Sequence, residues 1–408
     1  MGYTLVKITT YYPEYLKYYY NRYPSSKRMS YADQYDHMMR DAFGLADFYS
    51  KNFRKLGVNA YEIVANAEHM QIAWAKEHGI ENKDILIEQL RFLKPDVVIF
   101  QDASLCNENY LEYIRAEVAS IRKIIGCCGA PYNDYQLKLF GKYDYMITFS
   151  PEYVEDFKSR GINVYWLYHA FEKSLLQIIN QDNEFPEVDV IFVGGFDIGS
   201  GWHNSRYDII KTLIHEKIDL KIYSKITYNS KLNHLLKYGL FKIASFMTEN
   251  EMAKLATKIP YINRAIKWSG VSKTQPKLDF LEKMEIQPIF GIDMYKALNK
   301  AMIGFNIHID SSKRFAGNMR CFEITGVGSC LVTDNKQNIG DLFEVDKEIV
   351  VYNSKEECIE KIKWLVYHPN DAKAISRAGQ ERTLKDHSYE KRAEQMNMFI
   401  KQTLNTSR

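Results

Sequence analysis

The sequence predicts an α/β protein made of two Rossmann-like domains with parallel sheets, and three observations carry that prediction. The stretch Met302 to Asp334 reads as strand, loop, short helix, strand, a single right-handed βαβ step that requires a parallel sheet. The first 167 residues repeat the same alternation five or six times, enough for one complete domain. At 408 residues the chain exceeds one ordinary core, so a second domain is the default.

Thr4 to Thr9 reads as a strand, left by a Tyr-rich loop from Thr10 to Tyr31 that opens on the ligand side of the sheet. Tyr31 to Leu56 is a helix or helix pair, broken near Gly44 and ended by Gly57. Asn59 to Val64 is a strand; Ala67 to His78 and Asp84 to Leu93 are helices. Val97 to Phe100 has the unbroken apolar character of a buried parallel strand. Gln101 and Asp102 follow its C-terminal end, where binding groups sit in this architecture. Asn109 to Ile121 is helical; Lys123 to Gly126, Tyr145 to Phe149 and Val164 to Leu167 are strands. The polar stretch Asn180 to Glu187, with Pro186, is the linker between a first domain, 1–180, and a second, 187–386.

The pattern restarts at Asp189 to Val193, with Gly194-Gly195 directly behind. A glycine pair there lets backbone approach a phosphate, although a tight turn is the simpler reading. The loop Ser200 to Arg206 runs into a helix, Tyr207 to Glu216, and places His203 and Arg206 as candidates to face an anionic ligand. Trp202 is a candidate to stack on a base, or simply packs. After a strand at Leu220 to Tyr223 comes an inserted segment, 224–283. From Lys225 to Lys273 it carries nine Lys or Arg against two Glu, interleaved with Leu, Phe, Tyr, Ile and Trp. It reads as a helical hairpin covering a domain flank, or as a basic amphipathic surface making peripheral contact with an anionic membrane. A helix from Asp293 to Ala301 leads into the Met302 strand. Glu348 to Tyr352 is a strand. The helices Ser354 to Tyr367 (with a Ser354/Glu357 capping box), Asn370 to Leu384 and Tyr389 to Leu404 complete the chain.

Within Met302 to Asp334, the loop Asp310 to Gly317 leads to a helix of about Asn318 to Thr325, stopped by Gly326 and Gly328. Free N–H groups at its start, by Gly317 and Asn318, suit a diphosphate. Arg320 and Glu323 are its only charges and, three apart, share one side. They are either a self-satisfying ion pair or groups at the mouth of a ligand cleft. His308 ends the Met302 strand and His169 ends the first domain's last strand; each is a candidate to contact a substrate or act as a base, or else a packed histidine.

Composition excludes several classes. A net charge of +3 does not argue for nucleic acid. Six cysteines show no CxxC spacing and read as buried free thiols of a reducing compartment. Residues 1–12 lack a signal-peptide pattern and no run of about 18 apolar residues occurs, so a cytoplasmic protein is expected, at most peripheral at the inner face of a membrane. Ten of the 30 tyrosines fall in the first 35 residues, as structural surface or as a platform for sugars.

The run Gly317-Asn-Met-Arg-Cys-Phe-Glu-Ile-Thr-Gly-Val-Gly-Ser-Cys-Leu-Val-Thr-Asp334 resembles the nucleotide-sugar segment of glycosyltransferases of the spore-maturation CgeB type. Phe192-Val-Gly-Gly, Glu348-Ile-Val-Val-Tyr, Gly379-Gln-Glu-Arg-Thr-Leu and His387-Ser-Tyr are similar too, in order over about half the chain. The resemblance implies a GT-B fold facing a cleft, and a C-terminal helix, 387–408, crossing back to the first domain. It also implies that Glu323 binds the donor's ribose hydroxyls. Phe315 stands where the wider group often has a second Glu supporting the sugar, a departure from its pattern.

These observations lead to the expectation of a hexosyltransferase-like enzyme that takes a nucleotide-diphosphate sugar as donor substrate. Its acceptor would be a glycan, lipid-linked glycan or protein, and it would need no cofactor. Gly194, Gly195, Arg206, Arg320 and the Asn318 helix start would neutralise the leaving diphosphate. No Asp-x-Asp metal clamp stands in a fitting loop, since Asp182, Asp189 and Asp197 are scattered, so metal independence is expected. A nucleotide-sugar epimerase on the same fold and a non-catalytic sugar-binding or assembly protein are the alternatives.

Overall fold

The computed structural model describes residues 2–405 apart from 180–185, 198–203, 225, 228–230, 251, 253–254, 256–258, 267–285 and 309–313. Strands β1 (Thr4–Thr9), β2 (Asn59–Val64), β3 (Val97–Phe100), β4 (Lys123–Cys128), β5 (Tyr145–Thr148) and β6 (Val164–Trp166) form one parallel sheet, ordered β2-β1-β3-β4-β5-β6. Of the later strands β7 (Val188–Val193), β8 (Phe196–Asp197), β9 (Leu220–Tyr223), β10 (Ile226–Thr227), β11 (Ala301–Asn306), β12 (Cys330–Asp334) and β13 (Val350–Tyr352), five form a second parallel sheet. Its order is β13-β12-β11-β7-β9, while β8 pairs with β10 alone. In each sheet the direction of winding reverses once, beside β1 and beside β7. Ligands of such sheets lie beyond the strand ends at that reversal.

Burial explains the strands. All four residues of β3 are buried, and β7, β11 and β12 each bury at least four. A charge pair lies deep in the first sheet: Lys7 on β1 lies opposite Glu62 on β2, its ammonium 2.5 Å from one carboxylate oxygen and 2.5 Å from the Gln101 amide oxygen.

The Tyr-rich stretch is not the expected loop. Pro13–Arg22 is a helix and Pro24–Arg28 a short 3₁₀ turn. Pro13 opens the helix, where its missing N–H costs nothing. Tyr15, Tyr19 and Tyr20 then lie at helical spacing and are buried. Tyr15 stacks on Phe43 with ring centres 3.7 Å apart and donates its hydroxyl to Asp41 at 2.7 Å. These tyrosines are core residues. The helices Asp134–Phe140 and Pro151–Ser159 were not expected from the sequence either. Two further details differ. The Met319–Val327 helix runs through Gly326 and ends at Gly328, which takes the left-handed conformation at φ 89°. Ser354 caps its helix by accepting from Glu357 N, but the Glu357 carboxylate accepts from Asn353 N rather than Ser354 N.

Three passages of chain meet where the two sheets are joined. Phe171 N donates to His387 O at 2.9 Å and Tyr389 N donates back to Phe171 O at 3.0 Å. The Phe171 ring lies over Gly326, where a Cβ would stand 2.2 Å from the ring. The Tyr389–Asn405 helix then lies on the first domain, through Tyr389 against Phe48 and Tyr49, Phe399 stacked on Tyr165, and Tyr3 donating to Asn397 at 2.9 Å. His387 is held on both ring nitrogens, Nε2 donating to Leu342 O and Nδ1 accepting from Arg392. Burial and then the Arg392 charge, against the opposing Leu342 hydrogen bond, push its imidazole down to about 4.

Two outcomes follow from this junction. Gly326→Ala should cost about 1–3 kcal/mol in denaturant unfolding through overpacking, and Phe171→Leu in the same chain should recover part of that loss. A cost under about 0.5 kcal/mol would show that the two elements part freely. A histidine held neutral contributes stability that is complete above its ordinary value of 6.5 and is lost as the pH falls toward 4. Stability should therefore decline over that window, and His387→Gln should flatten the slope.

Candidate active site

The C-terminal ends of both sheets face each other. From the second domain the loop before the Met319–Val327 helix reaches the end of β5. A Cβ on Gly317 would lie 2.7 Å from Phe149 O, so only glycine permits this approach. Arg314 N donates to Glu152 at 3.0 Å. Asn338 holds the loop from behind, its Oδ1 accepting from Ala316 N and its Nδ2 donating to Ala316 O and to Tyr168 of the first domain.

Arg320 and Glu323 do form an ion pair, at 2.7 Å, but a buried one: the Glu323 side chain is 6% exposed and that of Arg320 19%. Two residues the sequence did not single out complete the group. Tyr295 donates its hydroxyl to the second oxygen of Glu323 at 3.3 Å, and Arg320 donates to the Met294 sulfur at 3.0 Å. Both belong to the Gly291–Asn299 helix packed alongside. The carboxylate retains lone pairs for further donors, since each oxygen accepts two. Arg320 is the more open member. Asn318 caps the helix by accepting from Cys321 N, and its amide donates to Asn306 at 3.0 Å; its side chain is thus spent on the scaffold.

Arg206 stands at the reversal point of the second sheet, but its expected phosphate-facing guanidinium is turned to the backbone. One nitrogen donates to Gly195 O at 2.5 Å and another to Ile307 O at 2.7 Å, tying the ends of β7 and β11 together. The orphan carbonyls at two strand ends attract the cation, so Arg206 shapes the Gly194-Gly195 turn. A Cβ on Gly194 would meet Phe192 at 3.3 Å and Arg206 at 3.5 Å. His203 and Trp202 lie outside the described residues.

The two candidate histidines sit apart in chemistry. Of the two readings of His308, a cleft-facing group or a packed histidine, the geometry matches the packed one. Its side chain is 1% exposed, with Nδ1 2.7 Å from Asp334 Oδ1 and Nε2 turned to the Cys321 sulfur at 3.9 Å. Asp334 also accepts from His308 N and pairs with Lys336. Burial alone would raise the Asp334 carboxyl, but hydrogen bonding and charge from His308, then Lys336, hold it below the usual carboxylate range. His169 stacks on Phe149 with ring centres 4.1 Å apart, and its Nδ1 has no partner among the described residues. Burial, then Arg392, pushes its imidazole down to about 3.

No curated protein matches this chain by sequence. A family model described as glycosyl transferase-like matches residues 255–397, which include Tyr295, Arg320 and Glu323. Solved structures similar over the whole chain include sucrose-phosphate synthase from Thermosynechococcus elongatus, at 8% identity and a TM-score of 0.53 over 99% of this chain and 100% of that one. HepE from Anabaena, in complex with UDP-glucose, matches at 10% identity and a TM-score of 0.54 over 99% and 100%. A glycosyltransferase from Rickettsia africae matches at 11% identity and a TM-score of 0.51 over the full length of both. Such likenesses speak to the fold, and the fold is GT-B: two parallel-sheet α/β domains whose strand ends face each other.

Proposed function

We propose that the protein is a glycosyltransferase of the CgeB type that moves a sugar from a nucleotide-diphosphate donor to a hydroxyl-bearing acceptor. The observation that carries this reading is the buried Arg320–Glu323 pair on the first turns of a helix that opens at the C-terminal edge of the second sheet. Glu323 accepts the ribose hydroxyls. Arg320, oriented by Glu323 and Met294, meets the diphosphate with the backbone at Gly194, Gly195 and the helix start. In the reaction the bond from the anomeric carbon to the diphosphate oxygen breaks and its electron pair leaves on the diphosphate. The acceptor oxygen forms the new bond and gives up its proton. Fixed cationic and dipolar groups at the leaving oxygen lower that barrier without reorganising. The match of residues 255–397 and the nucleotide sugar in the related HepE structure support the donor class.

Release of nucleoside diphosphate from a nucleotide sugar should therefore depend on acceptor and persist in EDTA. A strict need for a divalent cation would displace the diphosphate site from Arg320. Release without acceptor, with a changed sugar, would mark an epimerase, and binding without release a sugar-binding protein.

The pair itself separates structure from function. Glu323→Gln weakens charge-assisted hydrogen bonds of about 1.5–3 kcal/mol, so nucleoside affinity in calorimetric titration should fall roughly ten- to a hundredfold. Arg320→Met should weaken the nucleoside diphosphate more than the nucleoside. Because the pair is buried, either change should also cost more stability than the roughly 0–1 kcal/mol of a surface pair. Unchanged affinity for both ligands in both variants would place the donor elsewhere.

A further inference from the structure

The helix Lys231–Glu249 packs Leu240, Ala244 and Met247 against Ile262 and Ala265 of the Pro260–Ile266 helix, a small core of its own. That accounts for one apolar stripe of the helix. A second stripe remains open: Leu235, Gly239, Ile243 and Phe246 recur at helical spacing, with Leu236 beside them. Leu235, Leu236 and Phe246 are each 57–59% exposed, Ile243 is 49% exposed, and a Cβ on Gly239 would meet nothing. Lys242 is exposed at the margin of this stripe, its ammonium over the Tyr238 ring. A short buried stripe suffices to hold the hairpin together, so folding does not explain the second one.

We propose that this hairpin docks on an anionic lipid bilayer, and that the acceptor is accordingly lipid-linked. Charge selects the occupant. Nine basic residues against two acidic ones between 225 and 273 exceed the net +3 of the whole chain, so the remainder is net acidic and the excess positive charge belongs to the stretch of sequence that carries the exposed apolar stripe. Apolar side chains that enter the acyl boundary beside lysines that meet lipid phosphates are the two elements of interfacial binding. A second copy of the chain would set like charges against each other across a two-fold interface. Topology supplies the purpose. The hairpin follows β9, an edge strand of the second sheet, on the side where β7 and β11 end at Gly194 and His308. Docking there sets the rim of the cleft against the membrane surface. The acceptor class rests on the transferase reading above; the docking does not.

The test is co-sedimentation of the full chain with vesicles of phosphatidylcholine alone, or with about one-third phosphatidylglycerol, at low and high salt. Binding should require the anionic lipid, fall at high salt, and drop at least tenfold in Ile243→Asp/Phe246→Asp. That variant should keep wild-type nucleotide affinity, which shows that it folds. Equal binding to neutral vesicles, no binding, or a salt-stable dimer by sedimentation that the variant abolishes would overturn the proposal. Vesicle binding by a chain with no affinity for any nucleoside diphosphate would instead leave the docking standing and remove the transferase reading.

Discussion

The contact on which both domains depend is the close approach of Phe171 to Gly326. The ring lies where any Cβ on the helix would stand, so the first domain's exit segment reaches the backbone of the helix that carries Arg320 and Glu323. The same segment is hydrogen-bonded on both sides to the start of the C-terminal helix, which then covers the first domain. Three chain passages thus cross at one buried point.

That arrangement separates shape from chemistry within the second domain. Arg206 closes the crevice between β7 and β11 from below by satisfying two carbonyls, and Asp334 fixes His308 through both its ring and its backbone. These groups look catalytic in a linear reading because they are polar and lie at strand ends. In the fold they set loop positions, and the Arg320–Glu323 pair is left as the charged group that the proposed transferase reading turns toward a donor.

The parts legible in the sequence are those governed by local rules. Buried parallel strands must be apolar throughout, so β3, β7, β11 and β12 declare themselves, and a residue pair three apart on a helix must share a side. The helix at Pro13 was missed because tyrosine, apolar in its ring and polar at its tip, hides the contrast that marks a helical period, although Pro13 itself was an available signal. The partners Tyr295 and Met294 were out of reach, since which helix packs beside another is not written in either one. The orientations of Arg206 and His308 were equally hidden: their acceptors are backbone carbonyls and an aspartate 26 residues distant.

The tyrosine-rich start of the chain acquires its meaning from the same helix. Phe290 enters the Tyr15, Tyr18 and Phe43 cluster, and Asp293 accepts from Tyr18 at 3.0 Å and pairs with Arg22. Between them Gly291, at φ 56°, lets the Asp41 backbone and carboxyl press to within van der Waals contact of the helix start; a Cβ there would lie 2.3 Å from Asp41 O. Burial, opposed by the Tyr15 hydrogen bond, raises that Asp41 carboxyl to about 6. The helix anchored in this way is Gly291–Asn299, whose next residues, Met294 and Tyr295, hold Arg320 and Glu323. The first domain therefore reaches the surroundings of the Arg320–Glu323 pair twice, by Phe171 at Gly326 and by the tyrosines through Phe290 and Asp293. A shift at either contact moves a helix that carries or touches the pair, so the geometry of the Arg320–Glu323 pair is a property of both domains together and not of the second domain alone.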